Sequence, residues 1–235
     1  MNNSERRSEN PVSKFIRKYR EKRLFKRSST KEVFTWIYRT NKWRSTVSDS
    51  GTGSSLEQTQ HIRAELPTIL KRLNTKILLD IPCGDFNWMQ HTALEIEEYI
   101  GADIVDDIIK KNTAQFERPG RRFVQLDLIC DALPHCDVIL CRDCFVHLNY
   151  ESIDQAIKNI KSSDCQYLIA TTFMYHKKNQ DGLKGKHRIL NLQAPPFNWP
   201  DPVYFIKEDC LSRKYRDKGK SLGVWRVTDI LPLDL

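Results

Sequence analysis

The sequence predicts a doubly wound α/β domain, with a mostly parallel seven-stranded sheet and helices on both faces. Beyond Lys76, short apolar runs of strand length alternate with stretches of helical period. Those runs are continuously apolar, as in strands covered on both faces, and do not alternate between apolar and polar residues. The chain, 235 residues and 27.6 kDa, has the mass for one such domain with residues left for an N-terminal extension.

Residues 1–10 are polar and predict no fixed structure. After Pro11, Val12, Phe15, Ile16, Tyr19 and Leu24 recur at helical spacing within a strongly basic segment, which predicts an amphipathic helix. A second helix is expected over 31–43 behind the cap signal Ser28-Ser29-Thr30, with Val33, Phe34, Ile37 and Tyr38 available for packing. A Gly/Ser-rich loop over 48–55 leads to a third over 56–73, where Pro67 is a point of bending. Strands are expected at 76–81, 98–103, 122–127, 136–142 and 166–173, and helices at 87–95, 105–116 and 151–162. Residues 203–208 and 222–230 read as two closing strands paired as an antiparallel hairpin. The organisation is thus a basic helical extension, 1–47, and a main domain, 48–235, carrying a polar Gly/Pro-marked insertion at about 175–202.

The net charge of +8 is concentrated between residues 5 and 31, and the remainder is near neutral. A nucleic-acid footprint across the fold is therefore not expected. The basic helix suits an anionic membrane surface or an acidic partner, or else leans on the domain as a solvated helix. No apolar run is long enough to cross a bilayer and no secretory leader pattern opens the chain, so a cytoplasmic protein is expected. The seven cysteines are an odd number without framework spacing and read as reduced thiols. Cys141 and Cys144 match no zinc-ribbon pattern, and no metal site is expected.

Ligands of open α/β sheets bind beyond the carboxyl ends of the strands. There the sequence places an acid at four successive strand ends: Asp80, Asp103, Asp127 and Asp143. One aspartate after a strand is an ordinary cap or turn former; four together point to a site. Gly84 allows a ligand to approach the backbone after the first strand, where a following helix N-terminus would offer free N–H groups. Asp103, twenty-three residues after Asp80, is placed to accept from ribose hydroxyls, and Asp127 with Leu128 to meet an adenine ring. Pro82 and Phe86 interrupt the glycine pattern that a dinucleotide pyrophosphate needs.

With DIPCGDFNWM after the first strand and CRDCFVHL after the fourth, the chain resembles the class I methyltransferases that use S-adenosylmethionine (SAM), over about residues 48–230. The resemblance implies a Rossmann-like fold and a SAM site. Of the family loop Asp-x-Gly-x-Gly-x-Gly only Asp80 and the middle glycine, Gly84, remain. By resemblance Asp80 and Gly84 face the methionine part, Asp103 the ribose, and Asp127 with Leu128 the adenine, and Ser50, Gly51 and Ser54 would fold over the cofactor. Pro82 and Ile104 are further cofactor-binding candidates; Arg142 is placed to hold the cofactor carboxylate or to pair with Asp143, and Trp88 to stack near cofactor or acceptor or to fill the core. Together with LNLQAPPFNWPDP and LGVW, these motifs are similar to small methyltransferases of glycan synthesis, including those of large algal viruses that O-methylate sugars. That implies a sugar or glycan acceptor, with small molecules, nucleic acid or a non-catalytic scaffold as alternatives. The amino-methylating signature Asn/Asp-Pro-Pro-aromatic is absent where CRDC stands.

A sugar hydroxyl must lose its proton during attack, so a base is needed beside the acceptor. Asp143 is the first candidate and His147 the second, each also explicable as a turn cap or a packed side chain. In the insertion Tyr175, His176, Arg188, Asn191, Phe197 and Trp199 combine aromatic faces with donors, the mixture that sugars suit.

Overall fold

The computed structural model describes residues 10–43 and 46–233, apart from the side chains of 11–14, 17, 18 and 214. The expectation of an unstructured segment over 1–9 and the packing of Val12 lie outside the described residues. Seven strands form one sheet: β1 (Ile77–Asp80), β2 (Glu98–Asp103), β3 (Arg121–Gln125), β4 (Val138–Cys141), β5 (Tyr167–Phe173), β6 (Tyr204–Lys207) and β7 (Lys220–Arg226). Their order is β3-β2-β1-β4-β5-β7-β6. The first five are parallel, and β7 inserts antiparallel between β5 and β6. This is the Rossmann-like doubly wound sheet that the sequence predicts, with the order reversing between β1 and β4.

Continuous apolar runs work here because neighbouring residues feed opposite faces. Leu79, Ile100 and Ile139 enter one core with Ile153, Ala156, Ile157 and Ile160 of helix α5 (Tyr150–Lys161). Leu78, Tyr99, Val138 and Leu140 enter the other, with Ile62, Leu66, Ile69 and Leu70 of α3 (Gln60–Arg72). Ile109 of α4 (Asp106–Phe116) joins that second core. Helix α3 runs through Pro67 and buries residues spaced one and two turns apart.

Helices α1 (Pro11–Arg27) and α2 (Thr30–Arg39) precede the sheet domain. The cap of α2 is as read from sequence: Ser29 Oγ accepts from Glu32 N at 3.2 Å, and Glu32 Oε2 accepts from Ser29 N at 2.8 Å. Phe25, Val33 and Ile37 make a small third core with Leu183 and Trp43. Phe15, Ile16 and Tyr19, read as the packing stripe of α1, are exposed; Glu21 and Phe25 are the buried residues instead.

One predicted helix does not form. Residues 87–95 hold only a 3₁₀ turn at Met89–His91. Phe86 takes a left-handed backbone (φ 57) and sinks among Tyr99, Phe116 and Phe123, its ring centroid 5.2 Å from each. That reversal draws the chain inward before a helix can start, so no helix N-terminus follows Gly84. The last strand also ends early, at Arg226, in a 3₁₀ turn. A short α6 (Arg213–Arg216) lies between the two closing strands. No helix among the described residues is long and apolar enough to cross a membrane.

Candidate active site

The carboxyl ends of β1–β4 open on a cavity of about 1430 Å³. Pockets for one drug-sized ligand measure roughly 300–1,000 Å³, so two molecules fit side by side. Its floor is the strand edge, and its covers are the 50–58 segment, α1, α2 and residues 183–187. Ser50, Gly51, Ser54, Asp80, Pro82, Gly84, Trp88, Asp103, Ile104, Asp127, Leu128, Arg142, Asp143 and His147 all line it. The topology thus gathers in one place every residue that the sequence assigned to cofactor or catalysis.

Each is positioned by its strand and by hydrogen bonds among the loops. Gly84 donates its N–H to Asp103 Oδ2 at 3.2 Å and its carbonyl accepts from Asn112 Nδ2 of α4 at 2.7 Å. Its positive φ (+55) suits glycine, and a Cβ there would lie 2.1 Å from Ser50 Oγ. Asp85 then fastens the covering segment. Its carboxylate accepts from Ser48 Oγ, Asp49 N and Ser50 Oγ at 3.1, 2.8 and 3.1 Å, and its own N–H donates to Ser50 Oγ at 2.9 Å. Asn87 Nδ2 donates to Ser54 O at 2.9 Å. Asp85, Asn87 and Asn112 were not singled out from sequence, because their partners lie about 30 residues away.

Asp80 and Asp103 are buried carboxyls facing an apolar surround. Burial pushes Asp80 up to about 7, opposed by the Tyr99 hydroxyl that donates to Oδ2 at 2.6 Å. Burial likewise raises Asp103 to about 6, opposed by the N–H groups of Val105 and Gly84. Both are poised to ionise when a cationic ligand arrives. Asp127 forms a local turn, its Oδ1 accepting from Ile129 N at 2.9 Å, and sits at the rim beside Leu128.

Beside β1, past the carboxyl end of β4, stands a ring of four charges, of which Arg142, Asp143 and Lys220 line the cavity. Arg142 Nη2 donates to Glu208 Oε2 at 2.9 Å and to Gly53 O at 2.9 Å; Lys220 Nζ meets Glu208 Oε2 at 3.0 Å and Asp143 Oδ2 at 2.7 Å. Arg142 Nη1 closes the ring to Asp143 at 3.6 Å. The Glu208 side chain is 0% exposed and those of Arg142 and Lys220 are 5% and 6%. Trp88 lies against the Arg142 guanidinium, which is 5.6 Å from its ring centroid. Asp143 has a left-handed backbone (φ 52) held by Thr171 Oγ1, which accepts from its N–H at 2.8 Å. Against the cost of burial, the cations Lys220 and Arg142 hold its carboxyl well below the ordinary range. Glu208 and Lys220 follow and begin the closing strands, and no short motif marks them.

His147 sits beside this ring. Burial, reinforced by His187, pushes it down to about 3, so it is neutral at pH 7. Its Nδ1 is buried without a hydrogen-bond partner. Trp43 and His187 flank its ring at centroid distances of 5.5 and 5.3 Å, and Tyr215 packs on His187 at 5.2 Å.

The insertion contributes differently from the expectation. None of Tyr175, His176, Arg188, Asn191, Phe197 and Trp199 lines the cavity. Phe197 and Trp199 are 0% and 2% exposed and belong to the core, Trp199 packing on Trp225 at 5.1 Å. Asn191 donates to His176 O at 2.9 Å and accepts from Gln193 N at 2.9 Å, holding the loop together. Arg188 lies over the Tyr150 ring at 5.5 Å, and Tyr175 is exposed beside Gly219. Aromatic and amide side chains in a Pro-rich loop suit a core plug as well as a sugar, and here burial decides for the plug. Leu183, Gly185, Lys186 and His187 are the insertion residues that reach the cavity.

No family model and no curated protein matches the sequence. Among solved structures the fold is similar to N-methyltransferase NodS from Bradyrhizobium japonicum WM9, crystallised with S-adenosyl-L-homocysteine. That match has a TM-score of 0.57 and 13% identity over 82% of this chain and 97% of that one. The methyltransferase domain of bacterial CtHen1 matches at TM-score 0.53, with 15% identity over 73% of this chain and 100% of that domain. Magnesium protoporphyrin IX methyltransferase ChlM from Synechocystis PCC 6803, with bound SAM, matches at 0.52, with 14% identity over 84% and 95%. At these identities the likeness is one of fold, that of class I methyltransferases.

Proposed function

We propose that the chain is a SAM-dependent methyltransferase that methylates a hydroxyl of a carbohydrate acceptor. The observation that carries the first part is the convergence of Asp80, Gly84, Asp103 and Leu128 on one cavity large enough for two molecules. The donor set fits an adenosyl sulfonium. It offers carboxylates to a cation and to hydroxyls and apolar Ile104, Leu128 and Ile129 to a ring, while Pro82 and Phe86 stand where a pyrophosphate-binding turn after β1 would need glycines. Asp80 and Gly84 would meet the methionine part, Asp103 the ribose, Asp127 and Leu128 the adenine, with the 50–54 segment closing over them.

Bound there, SAM supplies an electrophilic methyl group. The protein's own part is alignment and proton removal. Neutral His147 is the base in this reading, taking the acceptor proton as the oxygen attacks, which requires that Asp143 and the bound acceptor raise its basicity from the buried value of about 3. Asp143 is the weaker candidate, since Lys220 and Thr171 already occupy its oxygens and its charge is held by two cations. Its negative charge instead opposes the depression of His147 and steadies the imidazolium that forms. Arg142 fixes the Gly53 carbonyl and Glu208, which makes it a positioning residue.

Carbohydrate as acceptor is supported by the mixture of aromatic Trp43, Tyr38 and Tyr215 with polar His187, Lys186 and Lys42 in the cavity lining. Covering by α1 and α2 also favours a second reading, a small non-sugar hydroxyl compound, over a polymer. Methyl-labelled SAM offered with oligosaccharides, nucleotide sugars, small phenols and RNA tests the proposal. Label in a sugar, abolished in His147→Ala and reduced but measurable in Asp143→Asn, is the expected result. Label confined to RNA or to amines contradicts the acceptor class, and full turnover of His147→Ala contradicts the base.

A further inference from the structure

Helix α1 has one face on the protein and one face turned away. On the inner face, Glu21 bonds to Lys42 and to Lys186, the latter at 3.0 Å, and Phe25 is 1% exposed against Trp36. On the outer face Phe15, Ile16 and Tyr19 are 71%, 44% and 61% exposed. At roughly 100° per residue these three fall within one arc of about 100°, and Lys22, Arg23 and Lys26 continue that arc toward the C-terminal end. Arg20 and Arg27 border it, and all five cations are exposed. Glu21 is the sole acid of the helix sequence, and it is turned inward with two lysine partners.

The outer surface of α1 therefore presents three large apolar groups at one end and uncompensated cations along the rest. We propose that α1 docks the protein on the surface of an anionic lipid bilayer. Phe15, Ile16 and Tyr19 enter the boundary between headgroups and acyl chains, and Arg20, Arg23, Lys26 and Arg27 lie against the lipid phosphates and carboxylates, with Lys22 between them and the cavity. Cations of this kind bind anionic headgroups through long-range attraction, whereas the apolar groups need a medium they can enter. RNA satisfies the cations and can stack on Phe15 and Tyr19, but it offers nothing to Ile16 beside them. Because Glu21 and Lys22 of the same helix line the cavity, docking holds the cavity within about one helix diameter, ~10–12 Å, of the surface.

Co-sedimentation of the full-length chain with phosphatidylcholine vesicles, with and without phosphatidylserine, tests this independently of any methyl transfer. Binding is expected only when phosphatidylserine is present, and it weakens at high salt. The triple variant Phe15→Ser, Ile16→Ser, Tyr19→Ser changes exposed residues alone. It should keep the wild-type unfolding midpoint and lose roughly tenfold or more in vesicle partition. Absence of binding to phosphatidylserine vesicles overturns the proposal. So does wild-type partition of the triple variant, or tight retention of an RNA oligonucleotide that vesicles do not displace.

Discussion

The strand-end carboxylates of the cavity and the buried charge ring beside them are built from different kinds of sequence information. At the first, Asp80, Gly84 and Asp103 stand at or just past a strand, and each is placed by the strand it follows. At the second, Arg142 and Asp143 follow β4, but what holds them is Glu208 and Lys220, more than sixty residues away. Among the covers of the cavity, α1, α2 and residues 183–187 come from three separate stretches. Strand ends are therefore a local signal, whereas a buried charge ring is a property of the folded chain alone.

That contrast makes the ring the most sensitive place to break. Glu208→Ala leaves Arg142 and Lys220 buried with one carboxylate between them, and breaking a buried pair in this way costs about 3–5 kcal/mol. For a chain of this size the melting temperature should fall by roughly 6–20 °C. A variant that melts like wild type would show that the ring contributes nothing to stability.

Gly84→Ala probes the loop after β1. A left-handed alanine is strained, and its Cβ would collide with Ser50 Oγ at 2.1 Å. Destabilisation of about 1–3 kcal/mol is expected in chemical unfolding, with the 48–50 segment released from the loop. Asp85→Ala removes the carboxylate that gathers Ser48, Asp49 and Ser50. It should cost about 1–2 kcal/mol of stability while raising the KM for SAM, and proteolysis near residue 50 reports the opened segment.

The smallest effect is one of pH, and its sign differs between the free and the bound protein. Asp80 and Asp103 titrate near 7 and 6, above the ordinary value of 3.8, so the folded chain holds protons that the unfolded chain has released. Their contribution to stability is thus greatest near pH 4 and declines as pH rises through 6 and 7. A cationic ligand favours the ionised forms, so SAM affinity should rise severalfold between pH 5 and 8, with protons released on binding. Calorimetry in buffers of different ionisation enthalpy measures that release directly.

Much of the fold was legible because buried parallel strands are unbroken apolar runs, and the helices announce themselves by period and by caps such as Ser29 with Glu32. The 87–95 helix misled because a gap between two parallel strands ordinarily holds a helix, while the decisive event, Phe86 turning into an aromatic cluster, depends on β2, β3 and α4. The insertion misled in the opposite way. Phe197 and Trp199 look like ligand contacts in a polar loop, yet they fill the core beside Trp225. The aspartates at the strand ends were readable in position, but not in state: nothing local to Asp143 reveals Lys220, and nothing local to Asp80 reveals the Tyr99 hydroxyl.

Titration of SAM into the full-length protein by calorimetry, repeated with Asp103→Ala, tests the central claim most directly. The account predicts saturable one-site binding by the wild type. In the variant it predicts an affinity loss on the order of a hundredfold, equivalent to about 3 kcal/mol, for a carboxylate that would hold the ribose. A folded wild-type protein with no saturable heat, or a variant that binds as tightly as wild type, would contradict it.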